Sequence, residues 1–347
     1  MAERVKPSIF KALKPVLIIQ HTPYEHAAAL GRALQALGIP TQILHPFQRE
    51  PFPELDDIAG VISLGGPMGA NDESEHPWIF SEIKFLQNTV KKELPTVGIC
   101  LGGQLIARAL GGYVERHHTP EVGWHAVEIL ESGVRDRVLS GVAHQAKDLV
   151  PSHPRLYQWH FDTFHLPEGA ELLASSSICE RQAYKIGGKI YGFQFHPEAD
   201  HQLLQEWLSI DGIKEELDEV RNSYGHQTIQ TIEEQKQNAL VGEFFSLSVT
   251  TGIADLFSLK DYCPSNEVLR STIIDFHNLQ SDVMVSFHRD VNLPSLTGKI
   301  LTLFQNPGGD FVILKDESTL LWPLRLDQIR QIRQIQEIRQ IKPTRKI

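Results

Sequence analysis

From residue 16 onward, short apolar runs alternate with amphipathic stretches. The run "PVLIIQ" has the β-branched, continuously apolar look of a buried strand, and "HAAALGRALQALG" carries apolar residues at helical spacing and ends on glycine. The pattern then repeats. "TQILHP" and "IAGVISLGG" predict strands, "PWIFSEIKFLQNTVKKEL" predicts a helix, "LPTVGIC" a strand and "LGGQLIARALGG" a helix with a glycine stop. Strands and helices alternating in this way predict an α/β protein whose mostly parallel sheet is covered by helices on both faces.

Between about residues 112 and 195 strand-like segments dominate: "GWHAVEIL", "RLYQWH", "ELLASSS" and "QAYKIGGKIYGFQFH". The glycine pair in the last segment predicts a hairpin. Residues 202–245 are polar and prone to helix. After roughly residue 260 short strands follow one another with turn signals at "NPGG" and "KDES", the pattern of a small antiparallel barrel or meander. At the end, Ile329, Ile332, Ile335, Ile338 and Ile341 recur every three residues. That spacing drifts around a 3.6-residue helix, so the segment reads either as a weakly ordered basic tail or as a helix for a partner. The expected organisation is a main domain over 1–258, a small β-rich domain over 259–328 and a low-complexity tail over 329–347.

Composition changes this picture little. The chain of 347 residues is 41% hydrophobic and 22% charged, ordinary values for a globular protein. Its charge of −10 is unevenly shared. Residues 261–347 carry 11 Lys and Arg against 10 Asp and Glu, leaving 22 against 33 in the first 260. An acidic main body argues against nonspecific nucleic-acid binding through that body. Cys100, Cys179 and Cys263 are too few and too scattered for a disulfide framework. With no apolar run of membrane-spanning length and no secretory leader in "MAERVKPSIFKALKP", a cytoplasmic protein without a membrane partner is expected.

The chemistry concentrates at "GICLGGQ". Cys100 falls on the turn where a strand feeds a helix, and the first N–H groups of that helix favour a thiolate. Gly98, Gly102 and Gly103 give the turn the room it needs. An acyl group attacked here develops an oxyanion, for which the Leu101 N–H is one donor. The glycine loop "SLGGPMGAND", with Gly66, offers a second. The base is expected in "YGFQFHPEAD". There His196 ends an apolar run and Glu198 stands two residues on, Pro197 stiffening the backbone between them. His117, His118, His144 and His153 do not fall at metal-ligand spacing, and neither a metal nor a cofactor is expected.

Taken together, "GICLGGQ", "GGPMGAND", "EVGWHAVEI", "QWHFDTFHLPEGAELLASS" and "GFQFHPE" resemble the class I glutamine amidotransferases of the Cys-His-Glu triad type, in their stand-alone, GMP-synthase-like form. The resemblance covers about residues 16–245. It implies a flavodoxin-like three-layer sandwich and cleavage of the γ-amide of glutamine, or of a γ-glutamyl compound, through a thioester on Cys100. It also implies roles for Gln104, His160 and Asp162 in shaping the substrate pocket. Trp159 and Phe161 also read as simple core, and His160 as a structural histidine. An acceptor or synthetase partner protein is implied as well, since the chain carries neither a P-loop nor an "SGGxDS"-like signature.

The segments "DYCPSNEVLR", "SDVMVSFHRD", "GKILTLFQNPGGDFVILKD" and "LWPLRLDQI" loosely resemble the Sm-like barrel of the Rho-binding antiterminator family, which implies a protein or RNA partner for 261–328. A second reading of the whole chain follows: a regulatory or binding protein that keeps the amidotransferase fold and engages a partner through its C-terminal module.

Overall fold

Alternate residues of the first apolar run point to opposite faces of one sheet, and both faces are buried. The computed structural model describes residues 14–147 and 153–257, and beyond them only strands at 282–287, 296–306, 309–316, 321–325 and 329–334. In chain order the described elements begin with β1 (Val16–Ile19), α1 (Ala28–Ala36), β2 (Thr41–Leu44), β3 (Gly60–Ser63), α2 (Trp78–Lys91), β4 (Thr96–Ile99) and α3 (Leu101–Ala109). Next come β5 (Tyr113–Ala126), β6 (Glu128–Ile129), α4 (Glu131–Val134), α5 (Ser140–Lys147), β7 (Arg155–His165), β8 (Glu171–Ser175), β9 (Ala183–Ile186) and β10 (Ile190–Phe193). Three helices close the main body: α6 (His201–Leu208), α7 (Ile213–Tyr224) and α8 (Ile232–Asp255).

The central sheet has eight strands in the order β2-β1-β3-β4-β10-β9-β8-β6. The first five pair in parallel, and the remaining pairings are antiparallel. The hairpin expected around Gly187–Gly188 is the β9–β10 pair. On one face Val16, Ile18, Ile62, Val97 and Ile99 pack with Leu30 and Leu34 of α1 and with Phe245, Val249 and Ile253 of α8. On the other, Leu17, Ile19 and Val61 pack with Ile79, Phe85 and Leu86 of α2 and Leu105 and Ile106 of α3. Burial on both faces is why these strands read as unbroken apolar runs rather than alternating ones. The result is helix, mostly parallel sheet, helix.

Two features depart from the plain pattern. β5 and β7 form a long antiparallel ribbon apart from the main sheet, with a register shift between Arg116 and Glu121 and single bridges from Val122 to Ile229 and from Tyr157 to His196. The C-terminal strands β11 (Asp282–Phe287), β12 (Leu296–Asn306), β13 (Gly309–Asp316), β14 (Leu321–Arg325) and β15 (Ile329–Gln334) form an antiparallel sheet in the order β14-β13-β12-β11-β15. Residues 329–334, at the start of the segment read as a low-complexity tail, thus pair with β11. Cys263 and residues 335–347 lie outside the described residues.

Candidate active site

Cys100 sits between β4 and α3 with φ 49° and ψ −108°, one of four non-glycine residues with positive φ among the described residues. Such a backbone costs on the order of 1–3 kcal/mol and persists only where its surroundings hold it. Here its N–H donates to the Phe193 carbonyl of β10 at 2.7 Å, and the Gly102 N–H donates to the Leu64 carbonyl at 3.0 Å. At Gly102 a Cβ would run into the Ser63 carbonyl, so the helix starts this close to β3 only with glycine there. The Cys100 Sγ lies 3.7 Å from the Trp159 carbonyl and 3.8 Å from Nε2 of Gln194.

His196 follows the end of β10, and its N–H donates to the Tyr157 carbonyl at 2.8 Å. Nδ1 lies 2.8 Å from Oε1 of Glu198, with both residues 2% exposed. The ring meets Trp207 of α6 edge to face at 5.2 Å. Burial opposes the imidazolium, but the charges of Glu198 and Cys100 outweigh it, and the ring is held well above its ordinary pKa. Nε2 is buried and has no hydrogen-bond partner.

A cavity of about 610 Å³ opens over these groups. Of the eight residues singled out in the sequence, Cys100, His196, Gly66, Leu101, Gln104, His160 and Asp162 line it, while Glu198 stands behind His196. Leu101 opens α3, so its N–H has no partner within the helix. Nε2 of Gln104 donates to the Asp162 carbonyl at 3.3 Å and to Oε1 of Gln194 at 3.4 Å. Both ring nitrogens of His160 are engaged, Nδ1 3.1 Å from the Asp162 carbonyl and Nε2 3.2 Å from Oε2 of Glu121. The backbone of Asp162 therefore organises this wall. Its carboxyl is pushed up by burial, against the opposing pull of Arg116 3.5 Å away.

A His21–Ser63–Glu82 cluster, Gln194 and Glu25 were not singled out from the sequence. His21, two residues past the end of β1, is fully buried with Nδ1 2.8 Å from the Gly65 carbonyl and Nε2 2.9 Å from Oε2 of Glu82. The Ser63 hydroxyl donates to the other Glu82 oxygen at 2.7 Å. Burial disfavours the His21 cation, yet Glu82 and the Gly65 carbonyl raise its pKa. This cluster fixes the glycine loop from beneath. Gln194 links Gln104 to the sulfur, its carbonyl accepting and its amide donating. Glu25, in the loop before α1, lines the cavity with Oε2 buried and unpartnered. A glutamate inside an apolar helical stretch was the available signal for Glu82; Glu25 had none.

Among the described residues, one grouping could hold a metal ion: Glu121, His160 and Cys179, whose ligand atoms lie within 4.8 Å of one another. Its histidine is not among the four whose spacing spoke against a metal. Glu121 already accepts from Ser176 at 3.1 Å and from Gln182 at 2.9 Å besides facing His160, and burial pushes the Cys179 thiol up. The donors are engaged with one another, which suits a polar network better than an ion. Of those four histidines, His117 bonds the Thr119 carbonyl at 2.6 Å, and the His144 side chain lies outside the described residues.

The profile of glutamine amidotransferase class-I matches residues 25–213, more than half of the chain and nearly all of the site just described. The chain belongs to that family. This amidotransferase is 34% identical over 192 residues to a glutamine-hydrolyzing GMP synthase subunit of Methanothermobacter thermautotrophicus, covering 54% of the chain and 89% of the relative. It is 31% identical over 195 residues to the glutamine-hydrolyzing GMP synthase of Aeropyrum pernix, of whose length the match spans only 35%. Among solved structures, a glutamine amidotransferase from Thermotoga maritima superposes with a TM-score of 0.59 at 27% identity, covering 70% of this chain and 97% of that one. The relatives are enzymes by name, and this amidotransferase is an enzyme of their family. Helix α8 and the C-terminal strands lie past the matched region. No helix among the described residues is long and apolar enough to cross a membrane.

Proposed function

We propose that this amidotransferase hydrolyses the γ-amide of glutamine, or of a γ-glutamyl compound, through a thioester on Cys100. The observation that carries the reading is the convergence on one cavity of a cysteine at a strained strand-to-helix turn and a histidine whose far nitrogen is fixed by a carboxylate. In this mechanism His196 Nε2 takes the Cys100 proton, and Sγ attacks the amide carbon. The N–H groups of Leu101 and Gly66 receive the oxyanion. His196 returns the proton to the departing nitrogen, and water attacks the thioester with the same imidazole as base. Glu198 keeps the ring oriented and stabilises its cationic form. Gln104, together with the Asp162 and His160 wall, holds the amino-acid end of the substrate.

Relatives that are themselves synthase subunits supply the further proposal that ammonia released here is used by a synthetase partner. The small β module expected over 259–328 extends, in this reading, through β15 (Ile329–Gln334), and the low-complexity tail follows it. That the strand order brings the last strand back beside the first supports a small barrel. Glutamine-dependent ammonia release by the full chain tests the proposal. Wild type is expected to release ammonia, and Cys100→Ala to lose at least about 10³-fold in kcat/KM. Equal turnover by the two proteins rules the thioester out.

A further inference from the structure

Among the acidic side chains that line the cavity, Glu25 has a buried carboxyl oxygen that the triad leaves unused. Glu198 already holds Nδ1 of His196. Glu25 lies near the Cε1–Nδ1 edge of the same imidazole. The Cβ that Gly65 lacks would lie 2.7 Å from Oε2 of Glu25 and 2.8 Å from Cε1 of His196, so carboxyl and ring converge on one small space that only glycine leaves open. Oε2 is buried with no hydrogen-bond partner, an expensive arrangement unless something else binds it. The charged groups acting on it are His196, His21 and Glu198. Burial, above all else, pushes its pKa up to about 7, so near neutral pH the carboxyl exchanges a proton readily and is protonated in a substantial share of molecules. The lining is otherwise acidic too: among the described residues Asp72, Asp162 and Glu216 line the cavity against Arg116 as its one Lys or Arg. Such a cavity favours a small amine or ammonium over an anion.

We propose that the Glu25 carboxyl is the subsite for the leaving nitrogen, binding ammonia or a small primary amine as it departs. The inference rests on the thioester reading above. As Cys100 Sγ bonds to the amide carbon and the C–N bond breaks, His196 delivers one proton and ammonia is released. Ammonia then takes the Glu25 proton, leaving an ammonium ion paired with a carboxylate. After water opens the thioester, the proton shed by the new glutamate side chain restores the Glu25 carboxyl. Glutamine and water thus yield glutamate and ammonium, with every proton accounted for.

The test compares glutamine with glutamate γ-methyl ester, which forms the same thioester but releases methanol. Glu25→Gln is expected to lower kcat/KM for glutamine about 10-fold or more while changing the ester by less than about 3-fold. Its Cys100 should still be alkylated by an electrophilic glutamine analogue at the wild-type rate. Glu25→Asp, which keeps a carboxyl but pulls it back, should show the same selectivity for the amide at reduced size and guards against a folding defect in the glutamine variant. Equal losses on both substrates assign Glu25 to positioning His196 and overturn the proposal, as does an unaffected glutamine rate. If wild type turns over neither substrate, the thioester reading falls and this inference with it.

Discussion

Cys100 holds a backbone conformation that most residues avoid, and its neighbours carry the cost. The same surroundings govern the two groups beside it, and both leave a signature in stability against pH. His196 is raised in the folded protein, so its pairing with Glu198 and Cys100 contributes stability that is fully present below the unfolded value near 6.5. That contribution is lost as pH rises through the folded value. Urea denaturation between pH 6 and 9 should show wild type losing stability with rising pH and Glu198→Gln following a flatter course. At Glu25 the same direction has a different origin. Its folded pKa of about 7 exceeds the unfolded 4.5, so the folded state binds the extra proton and stability falls as pH climbs between those values. Glu25→Gln should therefore be more stable than wild type at pH 8, by on the order of 2–3 kcal/mol, while hydrolysing glutamine more slowly. A variant destabilised at pH 8 contradicts the buried, proton-holding carboxyl.

At the scale of elements, the parallel half of the sheet and the cysteine turn were legible because they obey local rules. The runs at 16–19, 60–63 and 96–99 are buried at every position and rich in β-branched residues, and a glycine pair marks the β9–β10 turn. The β5–β7 ribbon was legible only as separate strands. It buries Glu121, His125, Gln158 and His160, and polar residues on inward positions erase the alternation by which a strand is recognised. Helix α8 continues ten residues past the stretch read as helix-prone, because Phe245, Val249 and Ile253 enter the core while Ser246, Ser248, Thr250 and Thr251 are buried as well. The triad declared itself through residues close in sequence, "HPE" and "GIC". The support of the glycine loop did not, since His21 and Glu82 meet across 61 positions. That support is an element-level device: Glu82 of α2 holds His21, just past β1, against the Gly65 carbonyl. Glu82→Gln leaves His21 without its charge partner and should cost about 3–5 kcal/mol of stability. Chemical denaturation measures the loss, and alkylation of Cys100 by the glutamine analogue should slow in parallel as the loop loosens.

For the molecule as a whole, the family match ends at residue 213, yet the core does not. α8 packs Phe245, Val249 and Ile253 against the sheet, and its Gln235 accepts from the Tyr157 hydroxyl at 2.7 Å, beneath the strand that carries Trp159 and His160. Truncation after residue 257 should therefore leave ammonia release within about 3-fold of the full chain, whereas truncation at 231 should give protein that does not fold. Circular dichroism and the ammonia assay distinguish the two. The acidic main body and the near-neutral C-terminal segment are consistent with the division that this truncation probes. All of it depends on one reactive sulfur. Incubating the full chain with an electrophilic glutamine analogue and reading its intact mass, followed by peptide mapping, tests that most directly. A single adduct on Cys100, absent from Cys100→Ala, is the predicted result; an unmodified chain, or an adduct on Cys179 instead, contradicts it.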